Sequence, residues 1–135
     1  MPVRIRVDLV ITEGASFSQE FIWTTGPNGE RVDISNHNAR LVARPKMDSD
    51  AVIFDLSTDN GGIVIADQEA DNGAHKGMYS IVLSKDDTTG ICPNHVQRDA
   101  VYDMYLEDED GNTVLHQYGK IVLIPTAVRN ATDSE

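Results

Sequence analysis

The sequence predicts an all-β protein, a two-layer sandwich or a barrel, and three observations carry that reading. Short stretches with side chains alternating between apolar and polar recur along the whole chain, the period-two pattern of half-buried strands. Turn residues rich in Gly, Asn and Asp separate them, so that some eight strands follow one another at intervals of roughly 8–15 residues. Between them there is no amphipathic segment long enough for a crossover helix.

The elements follow in order. Val3, Ile5, Val7, Leu9 and Ile11 share one parity against Arg4, Arg6, Asp8 and Thr12, which predicts one long half-buried strand. Glu13-Gly14 turns the chain, and Phe17, Phe21 and Trp23 line one face of a second strand. Gly26-Pro-Asn28-Gly29-Glu30 is a turn. Val32 to Ile34 is a short extended piece that leads to a strand over Ala39 to Arg44. Pro45, which has no N–H to give to a ladder, ends that strand or places it at a sheet edge. Ala51 to Leu56 and Gly62 to Ile65 are strands flanking Asp59-Asn60-Gly61-Gly62.

Asp71-Asn72-Gly73 turns into the strand Met78 to Leu83, and Ser84 is placed to cap a single helical turn near Asp86 to Gly90. Residues 91 to 98 have no regular pattern. Ala100, Tyr102, Met104 and Leu106 form the apolar face of a strand that reaches Asp108-Glu109-Asp110-Gly111, the turn of a hairpin. More strand follows over Thr113 to Leu115 and again over Gly119 to Ile124. The single domain is expected to span 1–125, with 126–135 a frayed polar tail.

Length and composition agree with a globular chain. The 135 residues are 40% hydrophobic and 24% charged, enough for one domain with a sizeable core. Net charge is −11, a field that repels phosphate backbones, so nucleic acid is not an expected partner. Arg4, Arg6, Arg40, Arg44 and Lys46 alternate with apolar neighbours, as on the outward faces of a sheet. Cys92 is the sole cysteine, so no intrachain disulfide is expected. Neither a signal-like apolar stretch nor a run near the roughly 20 apolar residues of a membrane span is present. The expected setting is therefore a reducing cytoplasm without membrane attachment.

No pattern of reactive residues emerges, and the expectation is a non-enzyme with no catalytic residues and no cofactor. His37, His75, His95 and His116 are scattered. Cys92-Pro-Asn-His95 pairs a thiol with an imidazole, but zinc needs two further ligands. Asp108, Asp110 and Asn112 group hard oxygens of the kind calcium prefers, without the bidentate Glu that closes an EF-hand loop; an Asp-Gly turn accounts for the same residues. Asp48, Asp50, Asp55 and Asp59 read the same way. Gly61-Gly62 has neither a phosphate-loop lysine nor a following helix. Trp23, Tyr79, Tyr105 and Tyr118 are candidates for a sugar-binding face or for the core. Tyr105 stands apart, because its parity sets it beside Asp103 and Glu107, outside, where it is a candidate contact with another chain.

Two stretches carry a resemblance. Asp8 to Phe17, with Gly29-Glu-Arg-Val-Asp33-Ile34 and Ala39-Arg-Leu-Val-Ala-Arg44, is similar to the opening of small tailed-phage virion proteins. Their strands and turns resemble those of the N-terminal domain of siphophage upper-baseplate proteins. Gly77-Met-Tyr-Ser80, then Ala100 to Met104, Asp110-Gly111 and Gly119-Lys-Ile-Val-Leu-Ile-Pro125, resembles that family's closing half. The resemblance implies an immunoglobulin-like antiparallel β-sandwich that serves as a structural or adaptor piece of a tail, baseplate or fibre attachment. The implied location is the virion, assembled in the host cytoplasm. The implied partners are other virion proteins, with homo-oligomerisation open, and a capsid decoration protein fits equally. A calcium-assisted carbohydrate-binding module using Asp108, Asp110 and Asn112 is the alternative from another class. Contact with partners is expected at loop tips and unpaired strand edges, with Tyr105, Pro45, Arg4 and Arg6 as candidates and the edges sought near Pro45 and at the N-terminal strand.

Overall fold

A computed structural model of the protein describes residues 5–25 and 29–126; Arg4, most of the turn at residues 26–28 and the tail from residue 127 lie outside them. Eleven strands appear in chain order: β1 (Ile5–Arg6), β2 (Leu9–Thr12), β3 (Phe17–Ile22), β4 (Thr24–Thr25), β5 (Glu30–Arg31), β6 (Asn38–Arg44), β7 (Phe54–Ser57), β8 (Ile63–Ile65), β9 (Met78–Leu83), β10 (Arg98–Glu107) and β11 (Thr113–Ile124). Three of them, β1, β4 and β5, are only two residues long. The larger sheet runs β1-β11-β10-β6-β7, with β2 continuing the β1 edge along β11, and the smaller runs β3-β9-β8. The two sheets share one core, contributed by Phe21, Tyr79 and Ile81 from the smaller and by Leu41, Ala100, Tyr102, Met104 and Ile121 from the larger. This partition into two facing sheets is an immunoglobulin-like arrangement.

Most of the predicted strands stand where alternation put them, and β9 has the predicted bounds. The predicted helical turn is α2 (Lys85–Thr88). Ser84 accepts from the Asp87 amide while the Asp87 carboxylate accepts from the Ser84 amide, which satisfies two donors the helix start would otherwise leave orphaned. Two further single turns, α1 (Ala70–Gly73) and a 3-10 turn at Pro93–His95, fall in segments read as a turn and as irregular chain.

Three expectations are corrected. The N-terminal strand is neither continuous nor antiparallel: β1 and β2 both pair parallel to β11, with a break at Val7–Asp8. There the Asp8 carboxylate takes the Lys120 amide at 3.0 Å, in place of a backbone carbonyl. A Cβ on Gly119 would collide with the Val7 carbonyl, so glycine lets the edge strand lie this close. Next, β6 is not an edge, because β10 and β7 flank it; Pro45 only ends it. Finally, the last two predicted strand pieces are one twelve-residue strand.

That continuity comes from a β-bulge. Met104 pairs with Gln117 but Tyr105 pairs with Leu115, leaving His116 as the extra residue. A bulge sends two consecutive side chains to one face, and here both His116 and Gln117 are buried. Their polar atoms build a network across the sandwich. Tyr79 Oη of the smaller sheet donates to Gln117 Oε1 at 2.5 Å, and Gln117 Nε2 donates to Tyr102 Oη of the larger sheet at 2.9 Å. Tyr102 Oη donates in turn to the Val7 carbonyl at 2.6 Å, pinning the edge strand at its break. Because Tyr79 Oη spends its proton on Gln117, the 3.0 Å contact with His116 Nε2 makes His116 the donor and fixes the Nε2–H tautomer.

Burial alone depresses the His116 pKa to about 4, because no acidic partner repays the desolvation of an imidazolium. Its Nδ1 has no partner, so a second proton would sit in the core uncompensated. The unfolded chain accepts that proton near pH 6.5 and the folded chain refuses it. Stability is therefore full above pH 6.5 and declines as the pH falls toward 4. Chemical denaturation is expected to show a loss of about 2 kcal/mol between pH 7 and pH 5 that vanishes in His116→Phe; an unchanged pH slope in that variant would assign the loss to other groups.

Candidate functional site

The outward face of the larger sheet is the candidate, because size separates it from every other surface. Five strand positions at about 4.8 Å spacing, on strands of two to twelve residues, present roughly 600 Å², the same order as the roughly 800 Å² that one partner gives to a standard protein interface. The outward face of β3-β9-β8 offers only roughly 300 Å² by the same measure.

Register fixes what the larger face displays. Tyr105 on β10 stands between Arg40 of β6 and Leu115 of β11; two residues along, Asp103 stands between Val42 and Tyr118. Val101, Val42, Leu115 and Tyr118 are half-buried, and the Tyr105 ring is 47% exposed. A shallow concavity of about 520 Å³ surrounds Tyr105, lined also by Asn38, Arg40, Val42, Asp103 and Glu107. A second, of about 290 Å³, adjoins it at Asp103 and carries the exposed Met47 over Val101 and Tyr118. An apolar centre within a polar rim is the anatomy of a protein-binding surface.

The cations of this face are engaged inside the chain. Arg40 grips Asp55 with two bonds, of 3.0 and 2.8 Å, which holds the Asp55 carboxyl below the usual range and raises Arg40. Lys120 pairs with Asp99 at 3.2 Å, and Arg6 with Asp8 at 3.2 Å. Arg44 reaches the carbonyls of Ser49, Asp50 and Ala51, closing the loop after β6. The ion pairs are solvent-exposed and contribute little stability. Their effect is to fix the positions of these side chains and to cancel their charge.

The other residues singled out from sequence fall elsewhere. Arg6 lies on the β1 edge, which is a sheet edge as expected. Pro45 is half-buried beyond the end of β6. Asp108, Asp110 and Asn112 do come together, as the β10–β11 turn. There Asp108 Oδ1 accepts the Asp110 and Asn112 amides at 3.0 and 2.9 Å, and these bonds, the Asn112 one foremost, hold its carboxyl below the usual range. The carboxylate is thereby a turn former. Cys92 is buried, its amide donates to Glu13 Oε2 at 3.1 Å, and burial pushes its thiol pKa up, whereas His95 is exposed. Trp23 and Tyr79 are core residues. Among the described residues no three His, Cys, Asp or Glu side chains are grouped as metal ligands, and no helix is long and apolar enough to cross a membrane.

Gln68, His116 and Gln117, all buried, escaped sequence reasoning. Gln68 accepts the Ile34 and Gly77 amides and donates to the Ala66 carbonyl, tying the polar segment after β8 to the core. Nothing local distinguishes it from a surface glutamine. His116 left no clear signal either, because the apolar pair Val114-Leu115 before it fits both parities and so hides the bulge.

The strand order thus defines an immunoglobulin-like sandwich with a broad, partly apolar sheet face. No protein-family model matches the chain, and no curated protein matches its sequence. Among solved structures it is similar to extracellular domains 3–5 of Drosophila OTK, at 12% identity over 90% of this chain and 33% of that one, with TM-score 0.34. It is similar to murine CRIg at 13% identity over 87% of this chain and 90% of that one, with TM-score 0.34. The N-terminal domain of ORF48 of phage TP901-1 gives 13% identity, 87% and 83% coverage, and TM-score 0.36. Likeness at this level carries no argument about role.

If Tyr105 serves contact rather than folding, truncating it costs the fold almost nothing. Tyr105→Ala is expected to shift unfolding free energy by no more than about 0.5 kcal/mol, while its buried neighbour gives about 2–5 kcal/mol in Met104→Ala. Urea titrations of both variants check this, and a large loss from Tyr105→Ala would make the ring structural.

Proposed function

We propose that the protein is a non-enzymatic structural or adaptor protein of a tailed-phage virion, which binds another virion protein through the outward face of its larger sheet. The observation that carries the binding role is Tyr105: a large aromatic side chain standing 47% exposed on a rigid, hydrogen-bonded sheet whose face is of the same order as a standard interface. Exposed aromatics on such a surface are the residue type that dominates binding energy, and a preordered sheet loses little entropy when it docks. Side chains there are held by ion pairs along and across strands, which suits an unchanging contact surface.

Placement in a tailed-phage virion, at the tail, baseplate or fibre attachment, rests on the order of strand and turn phrases from Asp8 to Pro125 that resembles that family. A high negative charge would keep a many-copy subunit soluble before assembly.

Quantitative mass spectrometry of particles from a host that carries the gene tests both parts. The protein is expected in fixed ratio to tail proteins, and Tyr105→Ala is expected to cut its incorporation at least tenfold while the variant still folds. A ratio fixed to the capsid protein would make it a decoration protein instead. Absence from the particles would remove the virion reading.

A further inference from the structure

Resting on the binding face just described, we propose that its occupant is a cationic protein surface and not a second copy of this chain, with two positive side chains straddling an apolar or guanidinium group. Two carboxylates flank Tyr105 on its own strand, Asp103 and Glu107, and both point outward with it. Neither forms an ion pair or a side-chain hydrogen bond among the described residues, in contrast to Asp55, Asp99 and Asp8, which each hold a cation. Of the cations lining the same concavity, Arg40 is neutralised by Asp55, while Arg44 keeps its charge but is anchored on the carbonyls of the loop after β6. What flanks the aromatic ring on its own strand is therefore a pair of carboxylates with no cation bonded to either.

Asp103 and Glu107 are four residues apart on one strand, hence about 13 Å from each other with Tyr105 midway. A complementary surface places two Lys or Arg side chains at that separation. Between them it sets an apolar side chain or a guanidinium plane, either of which packs on a tyrosine ring. An extended segment with cations at i and i+4 and an apolar residue at i+2 meets this spacing. A second copy does not: its own Asp103 and Glu107 would meet these two, between chains of charge −11 each, and like charges facing across an interface are strongly disfavoured. A polyanion is excluded for the same reason.

The test is a titration of isotope-labelled protein with a capped seven-residue peptide, Thr-Lys-Thr-Leu-Thr-Lys-Thr, at up to millimolar concentration and low salt, followed by amide chemical shifts. Perturbations are expected to cluster at Val42, Asp103, Tyr105 and Glu107 and to fade as salt rises and the Debye length contracts. Asp103→Asn and Glu107→Gln are each expected to weaken binding roughly two- to fivefold; both residues are exposed or half-buried strand positions, and the unchanged spectrum elsewhere verifies folding. A flat response, scattered perturbations, or the same response to a peptide with Glu in place of Lys overturns the inference. So does concentration-dependent dimerisation in sedimentation that Tyr105→Ala abolishes, which would make a second copy the occupant. The titration needs no particle, so a virion protein that ignores the peptide refutes only the cationic partner, and a protein absent from particles that binds it refutes only the virion role.

Discussion

Among the described residues Gln117 is the one side chain that bonds both sheets through opposite ends of the same amide, and the core around it keeps that amide dry and satisfied. Its oxygen takes the Tyr79 hydroxyl, its nitrogen gives to the Tyr102 hydroxyl, and Tyr102 passes its own proton to the edge strand at Val7. A net hydrogen bond is worth only about 1 kcal/mol, yet a buried polar group stripped of its partner costs about 1–3 kcal/mol. The asymmetry decides what this network does. It adds modestly to a core whose hydrophobic burial is far larger, and it penalises any relative shift of the sheets that would strand an amide or a hydroxyl in that core.

The same irregularity that turns Gln117 inward adjoins the outer face. The bulge lies where β11 changes register between Met104 and Tyr105, so the inward pair His116–Gln117 and the outward Tyr105–Leu115 pair are two sides of one feature. A bulge bends and overtwists its strand, here directly beside the strand that carries Tyr105. Ion pairs between exposed arginines and carboxylates then fix which charges the surface shows to solvent: Arg40 is neutralised within the chain, and Asp103 and Glu107 are left over.

How far the sequence disclosed this depends on whether the information was local. Alternation is local, so β9 and β10 were legible, as was the Ser84 cap on α2. Tyr105 was legible as an outward aromatic because its neighbours at two-residue spacing are Asp103 and Glu107. Partner identity is not local. Nothing between Val3 and Thr12 reveals that the strand breaks at Val7–Asp8, because the cause is Gly119 and the Lys120 amide on a strand more than a hundred residues away. Pro45 marks the end of β6 correctly but says nothing about β10 and β7 on either side. The bulge in β11 is hidden too, because the adjacent apolar residues Val114 and Leu115 fit either parity. Gln68 and His116 look like surface polar residues until the fold closes over them.

The claim that a shared buried amide holds the two layers in register is tested most directly by a double-mutant cycle on Tyr79→Phe and Gln117→Leu, read by urea unfolding. Each single variant leaves a polar atom without its partner, and each is expected to cost about 1–3 kcal/mol. Together they remove both sides of the bond, so the double variant is expected to cost at least about 1 kcal/mol less than the two separate losses combined. Losses that add to within about 0.5 kcal/mol would contradict the account, and the network would be a passenger in a core held by apolar packing alone.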